Sequence, residues 1–290
     1  MIYELPRDIL VHGIFSTRKT SVAMTASKDY PPLPAVAPFA KPVILSDVAL
    51  IAWDSQAGLT LPHLGIELAP DSIFETTGRL IPTEDKGSLT GLEPESIVET
   101  INASRKWAVK RAKAGAKFFI HDTVSTKDSK IVGFWTKLIE DDPKAGKDTA
   151  QKLYRNVLKT HIADMEFFQN LAAYYKCFNI WNCHTTIKGQ DAPSTDPKAT
   201  AATNIQRQAR GMLGAELAAR ITGQSWNYFM ENCRMVFYQT LEQEFGKEQA
   251  FWTTRSNELA VKPGLPENVL PSKLRADFRT LFNLAAGTTT

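Results

Sequence analysis

Residues Asp148–Phe178, DTAQKLYRNVLKTHIADMEFFQNLAAYYKCF, decide how the rest of the chain is read. Apolar side chains recur at Tyr154, Leu158, Ile162, Met165, Phe168, Ala172 and Tyr175 in mixed steps of three and four, the repeat of one helix face. The same period begins upstream at Glu93: Pro94 suits a first helical turn, Ile97, Ile101 and Ala108 share a face, and Gly115 stops the run. Phe118-Phe119-Ile120 reads as a short buried strand, followed by a helix through Ile131, Phe134, Trp135 and Leu138 that Pro143 ends. Downstream, Asp196-Pro197 supplies an N-cap and first-turn proline for a helix carrying Ile205, Ala209, Leu213 and Leu217 to Gly223. Ser225 caps another with Phe229, Cys233, Val236, Phe237 and Leu241, stopped near Gly246, and the two read as an antiparallel pair. Past Pro263, Pro266 and Pro271, a last helix from Ser272 turns Leu274, Phe278, Leu281 and Ala285 inward.

The first ninety residues differ, with Pro, Gly and β-branched residues and candidate strands at Ile9–Phe15, Thr20–Thr25, Val43–Trp53 and Ile73–Thr76. The prolines of Tyr30–Pro38 exclude helix there and read as an ordered loop. The expected fold is therefore mainly α, with a smaller β- and loop-rich N-terminal part (α+β) and a bundle-like C-terminal two thirds. The expected division is 1–90 and 91–290, with a polar break near 188–196. Phe134, Leu138, Leu158, Met165, Phe168, Leu213, Leu217, Phe229, Phe237, Leu241, Phe278 and Leu281 are the expected core.

Of the 290 residues 43% are apolar and 22% charged, which suits a folded chain and excludes long disorder. No stretch of about 18 consecutive apolar residues offers a membrane span, and the N-terminus lacks a basic segment followed by an apolar run. Three cysteines, Cys177, Cys183 and Cys233, are too few and odd in number for a disulfide framework, so a reducing, cytoplasmic setting is expected. The net charge of +3 is uneven: residues 1–90 hold seven Lys or Arg against ten Asp or Glu, leaving +6 on the remainder.

That surplus concentrates in Arg105–Lys117. On a helix, Lys106, Lys110, Lys113 and Lys117 fall within a sector of roughly 60°. Such a row suits phosphates, and Trp107 beside it suits stacking on a base. Arg207 and Arg210, with Arg220 further on, follow a small-residue helix start at Lys198–Asn204 and suit an anion. Cys177, Cys183 and His184 have a loose spacing for metal ligands if His161 or Cys233 came near, but buried core cysteines fit better. His121-Asp122 resembles the His-Asp pair of metal-dependent phosphohydrolases, without the further ligands that such a site needs.

No Gly-x-Gly-x-x-Gly, Gly-x4-Gly-Lys-Ser/Thr, His-Glu-x-x-His or Gly-x-Ser-x-Gly is present, which weighs against nucleotide-fuelled, zinc-protease and serine-hydrolase chemistry. The expectation is a non-enzymatic structural protein without cofactor or membrane that assembles along RNA or DNA, of coat, nucleocapsid or ribonucleoprotein-subunit type. Lys106, Lys110, Lys113, Lys117, Arg207 and Arg210 hold phosphates, Trp107 stacks, and other copies or subunits are the partners. The alternatives are a metal-dependent hydrolase of a phosphorylated or nucleic-acid substrate, using His121, Asp122 and His161 or His184, and a protein-interaction scaffold.

Overall fold

Strand β1 (Asp8–Gly13) lies inside a sheet, with β7 (Phe178–Ile187) on one side and β9 (Met235–Glu244) on the other, both parallel to it. The computed structural model describes residues 2–13, 17–30, 42–53, 61, 65–75, 94–141, 149–187, 217–219, 223–257 and 259–287. Beyond β7 the parallel order continues through β6 (Phe118–Asp122), β3 (Val48–Ala52) and β5 (Ile73–Glu75). Beyond β9, β10 (Lys247–Thr253) and β11 (Lys273–Arg275) run back antiparallel. A short strand β8 (Leu217–Ala219) pairs with the end of β7, while β2 (Val43–Leu45) and β4 (Ile66–Leu68) form a separate parallel pair. The helices are α1 (Lys19–Met24), α2 (Pro94–Lys113), α3 (Val124–Glu140), α4 (Thr149–Tyr175), α5 (Gly223–Asn232) and α6 (Phe278–Ala286).

A parallel sheet is covered on both faces, so its inner strands are written as unbroken apolar runs rather than as alternation. Val48-Ala49-Leu50-Ile51-Ala52 is buried at every position, as is Phe118-Phe119-Ile120-His121-Asp122. The two-residue repeat of a strand then sorts the side chains between two layers. Ile9, Val11, Leu50, Ile120 and Ile180 pack with Val22, Met24, Phe278 and Leu281. Leu10, Ile51, Phe119 and Trp181 pack with Ile101, Ala108, Ile131, Met165 and Phe168.

The chain is therefore α/β with a mostly parallel sheet, and the mainly α expectation is corrected. Met235-Val236-Phe237-Tyr238 is strand, not helix, because a short apolar run has no period of its own and the pairing with β1 decides it. Thr20–Thr25 is mostly the helix α1, and Val43–Trp53 divides at Ser46-Asp47, where the Ser27 hydroxyl donates to the Asp47 carboxylate at 2.5 Å. Lys176 takes a left-handed φ of 54° that ends α4, so Phe178 opens β7. Leu217 lies on β8 and Leu274 on β11; α6 starts only at Phe278, where the Asp277 carboxylate accepts the Arg279 N–H at 2.9 Å. Strands from before and after residue 90 share the sheet.

Phe134, Met165, Phe168, Phe229, Phe237, Phe278 and Leu281 are buried as expected. Leu138 is 38% exposed, Leu158 and Leu241 are half-buried, and Leu213 lies outside the described residues, as do Ile205 and Ala209. On α4 the buried stripe is Val157, His161, Asp164, Met165, Phe168, Leu171 and Ala172, rotated from the expected one, and Tyr154 is half exposed. Polar pairing permits the rotation: His161 Nε2 meets Asp128 Oδ1 at 2.8 Å, and Asp164 takes both Lys127 and Arg105. Among the described residues no helix is long and apolar enough to cross a membrane.

Candidate functional site

The C-terminal ends of parallel strands in an open α/β sheet leave a crevice where ligands bind. β1 ends there in Gly13, and α1 starts six residues later at Lys19. The intervening sequence, Gly13-Ile14-Phe15-Ser16-Thr17-Arg18-Lys19-Thr20, is a glycine, four residues, then Arg-Lys-Thr. It would be a phosphate loop were Arg18 glycine. The backbone at Arg18 has φ 62° and ψ 28°, the left-handed region that glycine enters freely and other residues occupy at a cost of about 1–2 kcal/mol. Arg18 thus keeps a glycine-like conformation where the sequence departs from the motif.

Lys19 is 5% exposed, and its Nζ donates to the Gly13 carbonyl at 3.0 Å and to the Thr17 hydroxyl at 3.1 Å. Burial pushes its pKa down to about 8, against the raising influence of Cys183 and Asp122. The next side chain, Thr20, donates its hydroxyl proton to Asp122 Oδ2 at 2.7 Å, at the end of β6. Asn182 on β7 donates to the other carboxylate oxygen at 3.1 Å, and the Trp53 N–H donates to the Asp122 carbonyl at 2.6 Å. Four neighbouring strands, β1, β7, β6 and β3, therefore carry or directly precede the residues that meet here.

The start of the loop has no room for a side chain: a Cβ on Gly13 would lie 2.4 Å from the Gln239 carbonyl oxygen. Gln239, on β9, donates from Nε2 to the Thr17 carbonyl at 2.5 Å and accepts from the Trp252 indole at 2.9 Å. Arg18 points outward to β10, with Nη2 3.0 Å from Glu248 Oε2 and Nη1 3.4 Å from the Glu248 carbonyl. His12, just before Gly13, is neutral, because burial takes its pKa down to about 4. Its Nε2 lies 2.9 Å from the Ala260 carbonyl and its Nδ1 3.1 Å from the Thr185 hydroxyl, so Nε2 donates and Nδ1 accepts.

The sequence-derived candidates fall elsewhere. Lys106, Lys110, Lys113 and Lys117 are exposed as a row, and Lys117 directly precedes β6, at the end of that strand opposite Asp122. Lys110 lies 3.8 Å from Asp71, both largely exposed, a pair worth little in water. Trp107 is committed to packing: its indole donates to the Asp71 carbonyl at 3.0 Å, and its ring lies 5.7 Å from that of Phe74. Arg105 and Arg111 turn inward, to Asp164 and to Ser72. Arg207 and Arg210 lie outside the described residues.

His121 and Asp122 do not act as a unit, since neighbours on a strand face opposite ways. Asp122 meets Thr20, whereas His121 stacks on Trp181 at 3.7 Å in the other layer, where burial lowers its pKa well below the usual value. Cys177, Cys183 and Cys233 are buried and form no disulfide, and Cys183 Sγ lies 3.1 Å from the Ser125 hydroxyl. Among the described residues no cluster of three His, Cys, Asp or Glu is placed to hold a metal.

These positions define an α/β protein in which Lys19 turns back onto Gly13 at the end of the first strand and Thr20 is bonded to Asp122 at the end of β6. No family model and no curated protein matches the chain. Among solved structures it is similar to a KaiC-like protein from the hyperthermophilic archaeon Pyrococcus horikoshii OT3, at 9% identity over 85% of this chain and 76% of that one, with a TM-score of 0.34. It is also similar to the flagellar accessory protein FlaH from Methanocaldococcus jannaschii, at 10% identity over 85% and 76%, with a TM-score of 0.38. The expectation of an RNA-binding coat or nucleocapsid protein is corrected by the fold and the turn together. It rested on the Lys106–Lys117 stripe, on Arg207 and Arg210 and on the absence of catalytic motifs; Trp107 is instead committed to packing, and the chain has a mostly parallel sheet with Lys19 turned back onto Gly13 and Thr20 bonded to Asp122.

Proposed function

We propose that this chain binds a nucleoside triphosphate at the C-terminal edge of β1, β7 and β6 and hydrolyses its terminal phosphoanhydride. The observation that carries the reading is the pairing of Lys19, folded back over Gly13 and Thr17, with Thr20 bonded to Asp122. An ammonium at the start of a helix, turned back toward the end of the preceding strand, is the group that a phosphate loop uses to hold β- and γ-phosphates. The threonine hydroxyl and facing carboxylate are hard oxygen donors, and one or two such groups with phosphate oxygens are what Mg²⁺ takes. Thr20 and Asp122 would hold the ion, which supplies charge neutralisation between the phosphates. Asn182 keeps the Asp122 carboxylate oriented, and Gln239 fixes the far side of the turn through Thr17. Three cysteines outside any disulfide suit a reducing compartment such as the cytoplasm.

The test is titration of fluorescent ATP and GTP analogues with and without Mg²⁺, followed by a phosphate-release assay. Saturable, Mg²⁺-dependent binding that Lys19→Ala abolishes is the expected result. Absence of binding at millimolar nucleotide overturns the reading.

A further inference from the structure

Arg18 is the feature that the nucleotide reading leaves unexplained. It occupies a left-handed position where glycine would cost nothing, and its charged end is engaged with a residue of the β9–β10 hairpin. The ion pair alone is a weak reason for its presence: the Arg18 and Glu248 side chains are 51% and 50% exposed, and such pairs are screened by water and salt. A contact of that kind returns less than the backbone conformation costs. The position of the side chain supplies a better one. The Cα of Arg18 is one peptide, about 3.8 Å, from that of Lys19, so the guanidinium pivots beside the group assigned to the phosphates.

We infer that Arg18 is a second cationic phosphate ligand of this site, held by Glu248 when no nucleotide is bound and shared with the phosphates when one is. The inference rests on the nucleotide reading and deepens it, by naming how the polyphosphate is gripped and what competes for the grip. A guanidinium offers two parallel N–H donors to a phosphate, a fork that a lysine lacks. A triphosphate carries several negative charges against one on Glu248, so charge favours the transfer. The loop stays anchored meanwhile, because Gln239 holds the Thr17 carbonyl from inside the sheet and is itself held by the Trp252 indole. Nucleotide occupancy is thereby communicated to the hairpin through one exposed contact, while the buried one persists.

The experiment compares ATP and AMP affinity, by calorimetry at two salt concentrations, for the wild type, Arg18→Gly, Arg18→Lys, Glu248→Gln and Lys19→Ala, with thermal unfolding of each. Arg18→Gly is expected to bind ATP about tenfold more weakly, as loss of a charged hydrogen bond predicts, with little change for AMP and no loss of thermal stability. Arg18→Lys restores part of the ATP affinity, and Glu248→Gln binds ATP about threefold more tightly because the competitor is gone. Arg18→Gly binding ATP like the wild type, with Lys19→Ala failing to bind, overturns the inference and leaves the nucleotide reading standing. Wild-type protein that binds no nucleotide overturns both. Equal losses for ATP and AMP in Arg18→Gly, with lowered thermal stability, assign Arg18 a purely structural role and also overturn the inference.

Discussion

Among the described residues two lysines are buried, in opposite helical layers, and they are buried for different reasons. Lys127, on α3, is paired with Asp164, which also takes Arg105 at 2.9 Å, and its ammonium lies 5.1 Å from the Trp53 ring. Burial alone would raise the Asp164 pKa, but Lys127 and Arg105 together hold it below the usual carboxylate value; burial pushes Lys127 down. Lys19, on α1, donates instead to a backbone carbonyl and a hydroxyl at the edge of the sheet. The first arrangement completes its charge balance with neighbouring side chains and pins α2, α3 and α4 together. The second places an ammonium at a ligand crevice beside a backbone carbonyl and a hydroxyl, with Cys183 and Asp122 acting on it electrostatically, where an incoming anion can reach it. Buried charge marks a site by where it lies and what its partners are, and burial by itself marks nothing.

The sharpest way to break this contrast is to remove Asp164. Asp164→Ala leaves Lys127 and Arg105 without their carboxylate and is expected to destabilise the fold by about 3–5 kcal/mol in urea denaturation. Joint replacement of Lys127 and Asp164 by apolar residues should recover much of that loss, and a neutral Asp164→Ala would show that the network holds nothing. Lys19→Ala is the counterpart: nucleotide affinity falls about a hundredfold while folding stability changes little, since the wild type already bears the burial cost of an ammonium. A large stability loss without any binding phenotype would place Lys19 in the same structural class as Lys127.

Gly13→Ala tests the turn rather than the charge. Its Cβ would meet the Gln239 carbonyl at 2.4 Å, so the backbone must shift, at about 1–3 kcal/mol, with weakened binding. Unchanged stability and binding would mean that the close approach is dispensable. The last test is in pH. Folding lowers the Lys19 pKa from 10.5 to about 8, so between those values the unfolded chain holds a proton that the native one has released. The Lys19 contribution to stability therefore rises as pH increases through this window, while nucleotide affinity falls as the ammonium is lost. Comparing wild type with Lys19→Met over that range isolates both slopes, and identical slopes would remove Lys19 from the linkage.

Much of the secondary structure could be read from residue spacing. The helices around Ile97–Ala108, Ile131–Phe134 and Met165–Ala172 follow a 3.6-residue period, and all three exist. Phe118-Phe119-Ile120 was readable as a buried strand because it is short, apolar and flanked by Gly115 and a polar segment. The helix reading of Val236-Phe237 failed for a physical reason: a few buried apolar residues satisfy either period, and only the neighbouring strands choose between them. The candidate site was hidden by one substitution. Gly13, Lys19 and Thr20 stand at phosphate-loop spacing, and a strand before them with a helix after them was the available signal; requiring glycine at position 18 concealed it.

By itself the sequence determined which segments are amphipathic, which are apolar throughout, and which residue types are available for chemistry, because these depend on spacing along the chain. The tertiary structure alone decided that β1 enters between β7 and β9, that Asp122 reaches Thr20 across 102 residues, and that His121 faces away from Asp122. It also decided that Arg18 adopts the backbone of a glycine. Those outcomes depend on long-range pairing, whose free energy comes from covering both faces of the sheet at once, and no local window of sequence contains it.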